Sequence, residues 1–253
     1  AVRLDPRAMS GWFGLGESLR GLMAFEKAID SYDAVLKLDE KDSASWFGMA
    51  DCMRGLENNE EAVSAYERAI ALDPKSMDTW FGKGESLRSL ERYGEAIRAY
   101  DKATGIDATN TKAWFGRGEC QRNLGRFDAA VHSYEETLKI DSKNAGAWFG
   151  KAESLRHLDR FDEAASSYDK ALKTDPENID ASYDKGVSLR NLSRHEEAIS
   201  SFNYTIEINP RHKDCWLNKG ASLHDLGRYP EAVESFKRAL DIDSGFAAAW
   251  YGR

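Results

Sequence analysis

Seven tryptophans, Trp12, Trp46, Trp80, Trp114, Trp148, Trp216 and Trp250, stand multiples of 34 residues apart, and the one rung without a tryptophan is Ser182. A fixed period of that size means a tandem array, in which a unit cannot bury its own apolar face and gains stability by stacking on its neighbours. The period overrides the domain count that 253 residues would otherwise suggest. It also directs a search for function towards an extended surface and away from a catalytic pocket.

With each tryptophan set at position 4 of its unit, other columns read straight down the chain. Position 8 is small: Gly16, Ala50, Gly84, Gly118, Ala152, Gly186 and Gly220. Position 14 is leucine in every unit, from Leu22 to Leu226, and position 20 is alanine, from Ala28 to Ala232. Position 24 is aromatic: Tyr32, Tyr66, Tyr100, Tyr134, Tyr168, Phe202 and Phe236. Apolar or small residues at 4, 8, 11 and 14, then at 17, 20, 21, 24, 27 and 28, have the three-and-four spacing of two amphipathic helices. Each unit is therefore expected to be a hairpin of a helix A and a helix B. The break falls at positions 15 and 16, where Gly125 and Gly227 appear, and Pro230 sits in the first turn of its helix B, where no N–H is needed. Pro6, Pro74, Pro176 and Pro210 at position 32 stop helix B. Asp42, Ser76, Asn110, Asn144 and Asn178 at position 34 are N-caps for the next helix A.

The tryptophan at 4, the small residue at 8, the alanines at 20 and 27, the aromatic at 24 and the proline at 32 resemble the tetratricopeptide repeat. The resemblance covers essentially the whole chain. It implies an all-α array with full repeats at 9–42, 43–76, 77–110, 111–144, 145–178, 179–212 and 213–246, and partial repeats at 1–8 and 247–253. It further implies that helices A and B pack antiparallel, that position 20 meets the small residue at 8, and that the hairpins stack into a right-handed superhelical solenoid with a concave groove lined by A helices. Ala1 enters at position 27 and Arg253 ends at position 7, without a polar capping helix at either end. Arrays generally need capped termini, so the expectation is a segment of a longer array, or ends that stack on something.

Charge and residue chemistry narrow the function. A net charge of -8 opposes binding to a phosphate backbone, which draws on clustered Lys and Arg. No apolar run approaches the roughly 20 residues of a membrane helix. His132, His157, His195, His212 and His224 occupy scattered columns with no metal spacing and read as isolated surface residues. The Gly-x-Gly of WFGLGESLR lies inside a helix and is no nucleotide fingerprint. No enzyme activity, cofactor or metal is expected. Cys52 and Cys120 occupy one column two repeats apart, beyond disulfide reach, and free thiols suit the cytoplasm. Secretion is the alternative, in which Asn191-Leu-Ser193 and Asn203-Tyr-Thr205 would be glycosylation acceptors.

The resemblance places positions 2, 5, 9, 12 and 13 on the concave face, and helical spacing supports a shared face for 2, 5, 9 and 12. Position 5 is Phe13, Phe47, Phe81, Phe115, Phe149 and Tyr183, then Leu217. Position 9 is Glu17, Asp51, Glu85, Glu119 and Glu153, then Val187 and Ala221. Position 12 is Arg20, Arg54, Arg88, Arg122, Arg156 and Arg190, then His224. Aromatic, acidic and basic stripes run together. They read as a groove for an extended peptide or helix of a partner protein, in which phenylalanines bury apolar side chains and guanidinium groups grip carboxylates. Within one helix, the acid at 9 and the arginine at 12 also reach each other. Five glycines at position 6, Gly14, Gly48, Gly82, Gly116 and Gly150, cost roughly 0.8–1.0 kcal/mol each against alanine. They would open the groove floor to a ligand backbone, or be inherited from repeat duplication. The family's terminal-carboxylate clamp needs lysine and asparagine where this chain has Phe, Gly and Glu, and its asparagine ladder at position 6 is represented only by Asn218. The function expected is a non-catalytic interaction scaffold; the alternatives are self-association of the ends into a structural array, or the recognition region of a larger protein.

Overall fold

The computed structural model describes residues 9–243, so Pro6, Trp250 and the partial repeats at 1–8 and 247–253 lie outside the described residues. Among the described residues there are fourteen α-helices and no strand. The first packing unit, residues 1–126, contains α1 (Met9–Gly21), α2 (Phe25–Leu36), α3 (Ser43–Gly55), α4 (Asn59–Leu72), α5 (Met77–Ser89), α6 (Tyr93–Ile106) and α7 (Thr111–Asn123). The second, residues 127–253, contains α8 (Phe127–Ile140), α9 (Ala145–His157), α10 (Phe161–Thr174), α11 (Ile179–Asn191), α12 (His195–Ile208), α13 (Lys213–Asp225) and α14 (Tyr229–Ile242). Odd-numbered helices are the A helices and even-numbered ones the B helices. Within each unit every helix packs on the next in sequence, which is the expected run of hairpins.

The A helices from α3 to α11 begin at the cap residues that the sequence marks. The side chains of Asp42, Ser76, Asn110, Asn144 and Asn178 accept hydrogen bonds from the backbone N–H of Ser45, Thr79, Ala113, Ala147 and Ala181, at 2.8–3.3 Å. His212 does the same for α13, its Nδ1 accepting from Cys215 N–H at 3.2 Å. That role separates it from the isolated surface histidine expected, as does His157, whose ring stacks on Phe127 at 4.5 Å. Helix B ends at the same place with or without a proline at position 32: Asp73, ahead of Pro74, and Asp107, ahead of Ala108, are extended at φ -131° and -130°, and where proline follows it disfavours the helical region for the residue before it.

The turn from A to B follows one pattern. The N–H of position 15 bonds to the carbonyl of position 12, and that of position 16 to the carbonyl of position 11, as in Glu91 to Arg88 at 3.0 Å and Arg92 to Leu87 at 2.9 Å. This two-bond closure puts position 15 in the left-handed region. Gly125 and Gly227 do so freely, but Met23, Glu57, Glu91, Asp159 and Ser193 do so at φ 57–63°. Left-handed backbone costs a side-chain-bearing residue about 1–2 kcal/mol. Glu91→Gly is therefore expected to raise stability by up to about 1 kcal/mol once the greater freedom of glycine in the unfolded chain is subtracted, read as an upward shift in the urea midpoint.

The core centres on position 24. Tyr32, Tyr66, Tyr100, Tyr134, Tyr168 and Phe202 are fully buried, with the alanines at 20 and, in most A helices, a leucine at 11, such as Leu87, Leu155, Leu189 and Leu223, around them. It is this ring that explains the small residue at position 8. A Cβ on Gly16, Gly84, Gly186 or Gly220 would lie 2.5–2.7 Å from the aromatic ring of its own repeat. The leucine at 14 plays another part, standing just beyond each A helix; Leu22 is 77% exposed, whereas Leu90 and Leu158 fold back onto the core.

The tryptophans fasten one repeat to the next. Each indole N–H of Trp46, Trp80, Trp114, Trp148 and Trp216 donates to the backbone carbonyl six residues earlier, at position 32, over 2.9–3.0 Å.

Candidate functional site

Positions 5, 9 and 12 recur on one face of each A helix. Successive A helices also touch, α1 with α3, α3 with α5 and α5 with α7 in the first unit, and α11 with α13 in the second. The three stripes thus run across neighbouring helices within each unit.

The aromatic stripe is half-buried where the sequence predicts exposure: Phe13, Phe47, Phe81, Phe115, Phe149 and Tyr183 all show part of their surface. The reason is a partner ring inside the repeat. Phe13, Phe47, Phe81 and Phe149 lie against Tyr32, Tyr66, Tyr100 and Tyr168 with ring centroids 5.9–6.2 Å apart, and Tyr183 lies 6.1 Å from Phe202. These five rings pack on the buried ring at 24 and keep part of their surface exposed.

The acidic column has an internal partner. The hydroxyl of the tyrosine at 24 donates to the carboxylate at 9 of the same repeat: Tyr32 to Glu17 at 2.5 Å, Tyr100 to Glu85 at 2.5 Å and Tyr168 to Glu153 at 2.6 Å. Tyr66 and Asp51 are at 3.5 Å, the shorter aspartate falling back from the hydroxyl. The sequence carries this pairing. The two repeats with phenylalanine at 24, Phe202 and Phe236, are the two that lose the acid, to Val187 and Ala221. Without the hydroxyl, a half-buried carboxylate at 9 would lose one of the donors that offset its burial. Burial alone would raise the Glu17 carboxyl, but the hydrogen bonds from Tyr32 and Arg20 outweigh it and hold it below the ordinary range.

The arginines lie over these carboxylates. Arg20 donates through Nη2 to Glu17 and through Nη1 to Asp51 of the next repeat, both at 2.8 Å, and Arg54 donates to Asp51 at 2.5 Å. Arg88 pairs with Glu85 at 2.9 Å, Arg122 with Glu119 at 3.3 Å and Arg156 with Glu153 at 3.2 Å. Arg190, which has no acid at 9, reaches Asn218 at 3.5 Å and Asp225 at 3.9 Å. The arginine side chains remain 27–40% exposed. A guanidinium has five N–H donors; Arg88 gives one from Nη2 to Glu85, and its Nε is buried.

The glycines at position 6 have a cause other than the two the sequence suggests. The tip of the tyrosine at 24 reaches across to position 6 of the following repeat. A Cβ on Gly82 would stand 2.5 Å from both Cζ and the hydroxyl of Tyr66, and one on Gly116 would stand 2.8 Å from the same atoms of Tyr100. Gly48 meets Tyr32 and Gly150 meets Tyr134 in the same way. Gly14, in the first described repeat, meets nothing within 4 Å. From Gly48 to Gly150 the space is filled by the protein's own tyrosine, so no opening is left for a ligand backbone.

Repeat six breaks the column with Asp184. Its carboxyl lies beside that of Glu153 and 4.0 Å from Arg156. Burial, then the Glu153 charge, push it up to about 7 from an ordinary 3.8, with Arg156 pulling the other way and Asp180 adding to the rise. The folded form therefore holds a proton that the unfolded form has lost between about pH 4 and 7, and stability falls as pH rises through that window. Asp184→Asn is expected to flatten this fall, measured as the difference between variant and parent urea midpoints from pH 4 to 8.

Cys52, Cys120 and Cys215 are free and buried, and burial pushes their thiols up to about 11, 12 and 12, which keeps them unreactive near neutral pH. Among the described residues no group of three or more His, Cys, Asp or Glu is placed to hold a metal ion, and no helix is long and apolar enough to cross a membrane.

A sequence model of the tetratricopeptide repeat matches residues 1–45, 53–111, 107–145, 115–179 and 183–245. Among solved structures, the chain is similar to YrrB, described as a TPR protein with an unusual peptide-binding site, at 22% identity and a TM-score of 0.69, over 75% of this chain and 97% of that one. It is similar to the C-terminal part of a TPR repeat-containing protein from Cytophaga hutchinsonii at 17% identity and a TM-score of 0.78, over 95% and 98% of the two chains. MamA is matched at 25% identity and a TM-score of 0.62, over 65% of this chain and 96% of that one. A comparison with curated protein sequences returned no match.

Proposed function

We propose, from the premise that this chain belongs to the tetratricopeptide repeat family, that its A-helix face holds an extended segment or short helix of a partner protein. Repeats of this family serve generally as protein-interaction scaffolds, and the peptide-binding site in the description of YrrB is consistent with that use. One observation carries the finer reading: rings at position 5 that pack on the buried ring at 24 and stay partly exposed, on the same helix face as arginine side chains that are held by carboxylates and are themselves partly exposed. Pinning lowers the entropy lost when such a side chain meets a ligand. Phe47, Phe81 and Phe149 would then contact apolar side chains, while Arg54, Arg88 and Arg156 donate to carbonyls or carboxylates. The acids at 9 orient the arginines and carry no ligand contact of their own. The chain acts in this reading as a scaffold without catalysis, in a soluble compartment.

The test is capture from native cell extract with the parent chain beside a Phe47→Ala, Phe81→Ala, Phe149→Ala variant, with helicity checked by circular dichroism. Partners lost from a variant that retains its helicity are the expected result. An unchanged partner list would move recognition off this face.

A further inference from the structure

The missing tryptophan of repeat six leaves a cavity. We propose that this cavity, between α10, α11 and α12, is a second binding site that takes the indole ring of a tryptophan side chain supplied by a partner. It lies apart from the A-helix stripes and does not depend on the reading of them.

The other repeats show what the place is built to hold. The indole N–H donates to the position 32 carbonyl, Pro74 for Trp80, Ser142 for Trp148 and Pro210 for Trp216. The cation at position 7 lies over the ring: Lys83 at 5.8 Å, Arg117 at 5.3 Å, Lys151 at 5.7 Å and Lys219 at 5.0 Å from the centroid. The residue at position 26 can lie over it too, as Lys170 does over Trp148 at 4.2 Å. Donor-acceptor pairing at one edge and a cation at the face define an indole seat.

Repeat six keeps the seat and lacks the ring. Position 4 is Ser182, whose hydroxyl turns inward to Thr205 at 2.8 Å and to the Ile179 carbonyl at 2.9 Å. Lys185 at position 7 is held by Asp169 at 2.5 Å, as Lys83 is held by Glu67 and Lys151 by Glu135 at 2.8 Å. Tyr204, at position 26, donates its hydroxyl to the Pro176 carbonyl at 2.9 Å, taking over the hydrogen bond the indole would make. It does not take over the volume. A cavity of about 390 Å³ remains, open to solvent and lined by Leu172, Ser182, Lys185, Glu197, Ser200 and Tyr204 among others. That size lies within the range of ligand pockets. A carbonyl oxygen has two lone pairs, so Pro176 can accept from an incoming indole N–H while it keeps Tyr204, whose ring then stacks beside the guest.

The probes are 5-fluoroindole and N-acetyl-5-fluorotryptophanamide, followed by fluorine NMR against the intact chain and against Ser182→Trp, which restores the residue found at this position elsewhere in the array. Saturable binding of both probes to the parent, weakened at least about tenfold by Ser182→Trp, is expected. Lys185→Gln, which leaves the cavity open, is expected to weaken it less. Equal binding to parent and Ser182→Trp, or none to the parent, would overturn the site. Binding of free fluoroindole without the amide would overturn the side-chain source and point to a small molecule. Loss in the Phe47, Phe81, Phe149 variant is not expected, which separates this site from the A-helix face.

Discussion

Tyr100→Ala is expected to cost about 3–5 kcal/mol, the range for truncating a large buried aromatic side chain. The ring at position 24 is fully buried and meets three things at once: Gly84 of its own repeat, Gly116 of the next, and, through its hydroxyl, Glu85. Truncation empties the joint inside the hairpin and the joint to the following one. It also leaves the Glu85 carboxylate with Arg88 as its remaining donor. Because repeats are coupled through nearest neighbours, equilibrium unfolding should lose cooperativity as well as midpoint, with hydrogen exchange rising first around α5 to α7. The hydroxyl's share can be isolated. Tyr100→Phe alone is expected to cost about 1.5–3 kcal/mol for the hydrogen bond lost to a charged group, and Tyr100→Phe with Glu85→Val should recover most of it. That pair is what repeats six and seven already use, with Phe202 and Val187 and with Phe236 and Ala221.

Gly82→Ala and Gly14→Ala are expected to differ in sign. Helix propensity alone would favour alanine at both by about 0.8–1.0 kcal/mol. At Gly82, however, the new methyl would collide with Cζ and the hydroxyl of a fully buried Tyr66. Overpacking of that kind costs about 1–3 kcal/mol, so the variant should be less stable than the parent in urea. At Gly14 nothing lies within 4 Å, so the propensity gain stands. Stabilisation at both sites would mean that the tyrosine tip does not occupy position 6.

The hairpins and their core were legible because each rests on local chemistry that recurs down the chain. A cap such as Asn144 bonds three residues ahead, and the proline at 32 acts on the residue before it. The candidate stripes were legible as columns but not as a bonded set. Glu17 meets Tyr32 across fifteen residues, and Gly48 meets Tyr32 across sixteen and a repeat boundary. Both contacts need two helices in place. The exchange of Tyr for Phe at 24 alongside loss of the acid at 9 was the signal that could have joined them. The left-handed residue at 15 was visible only where it is glycine, since Glu91 and Asp159 adopt the same backbone against their own preference. Tyr204's substitution for the indole lay outside sequence reasoning because position 26 follows no pattern, running through Ala34, Arg68, Lys102, Glu136 and Lys170 before it.

The claim that the A-helix face is the recognition surface is tested most directly by selecting peptides from a random displayed library on the intact chain. Their affinities are then measured for the parent, for Phe81→Ala with Arg88→Gln, and for Arg98→Ala with Lys102→Ala on helix α6. A loss of about tenfold or more for the first pair, with no change for the second, is what the geometry predicts. Peptides that bind all three chains alike would contradict it.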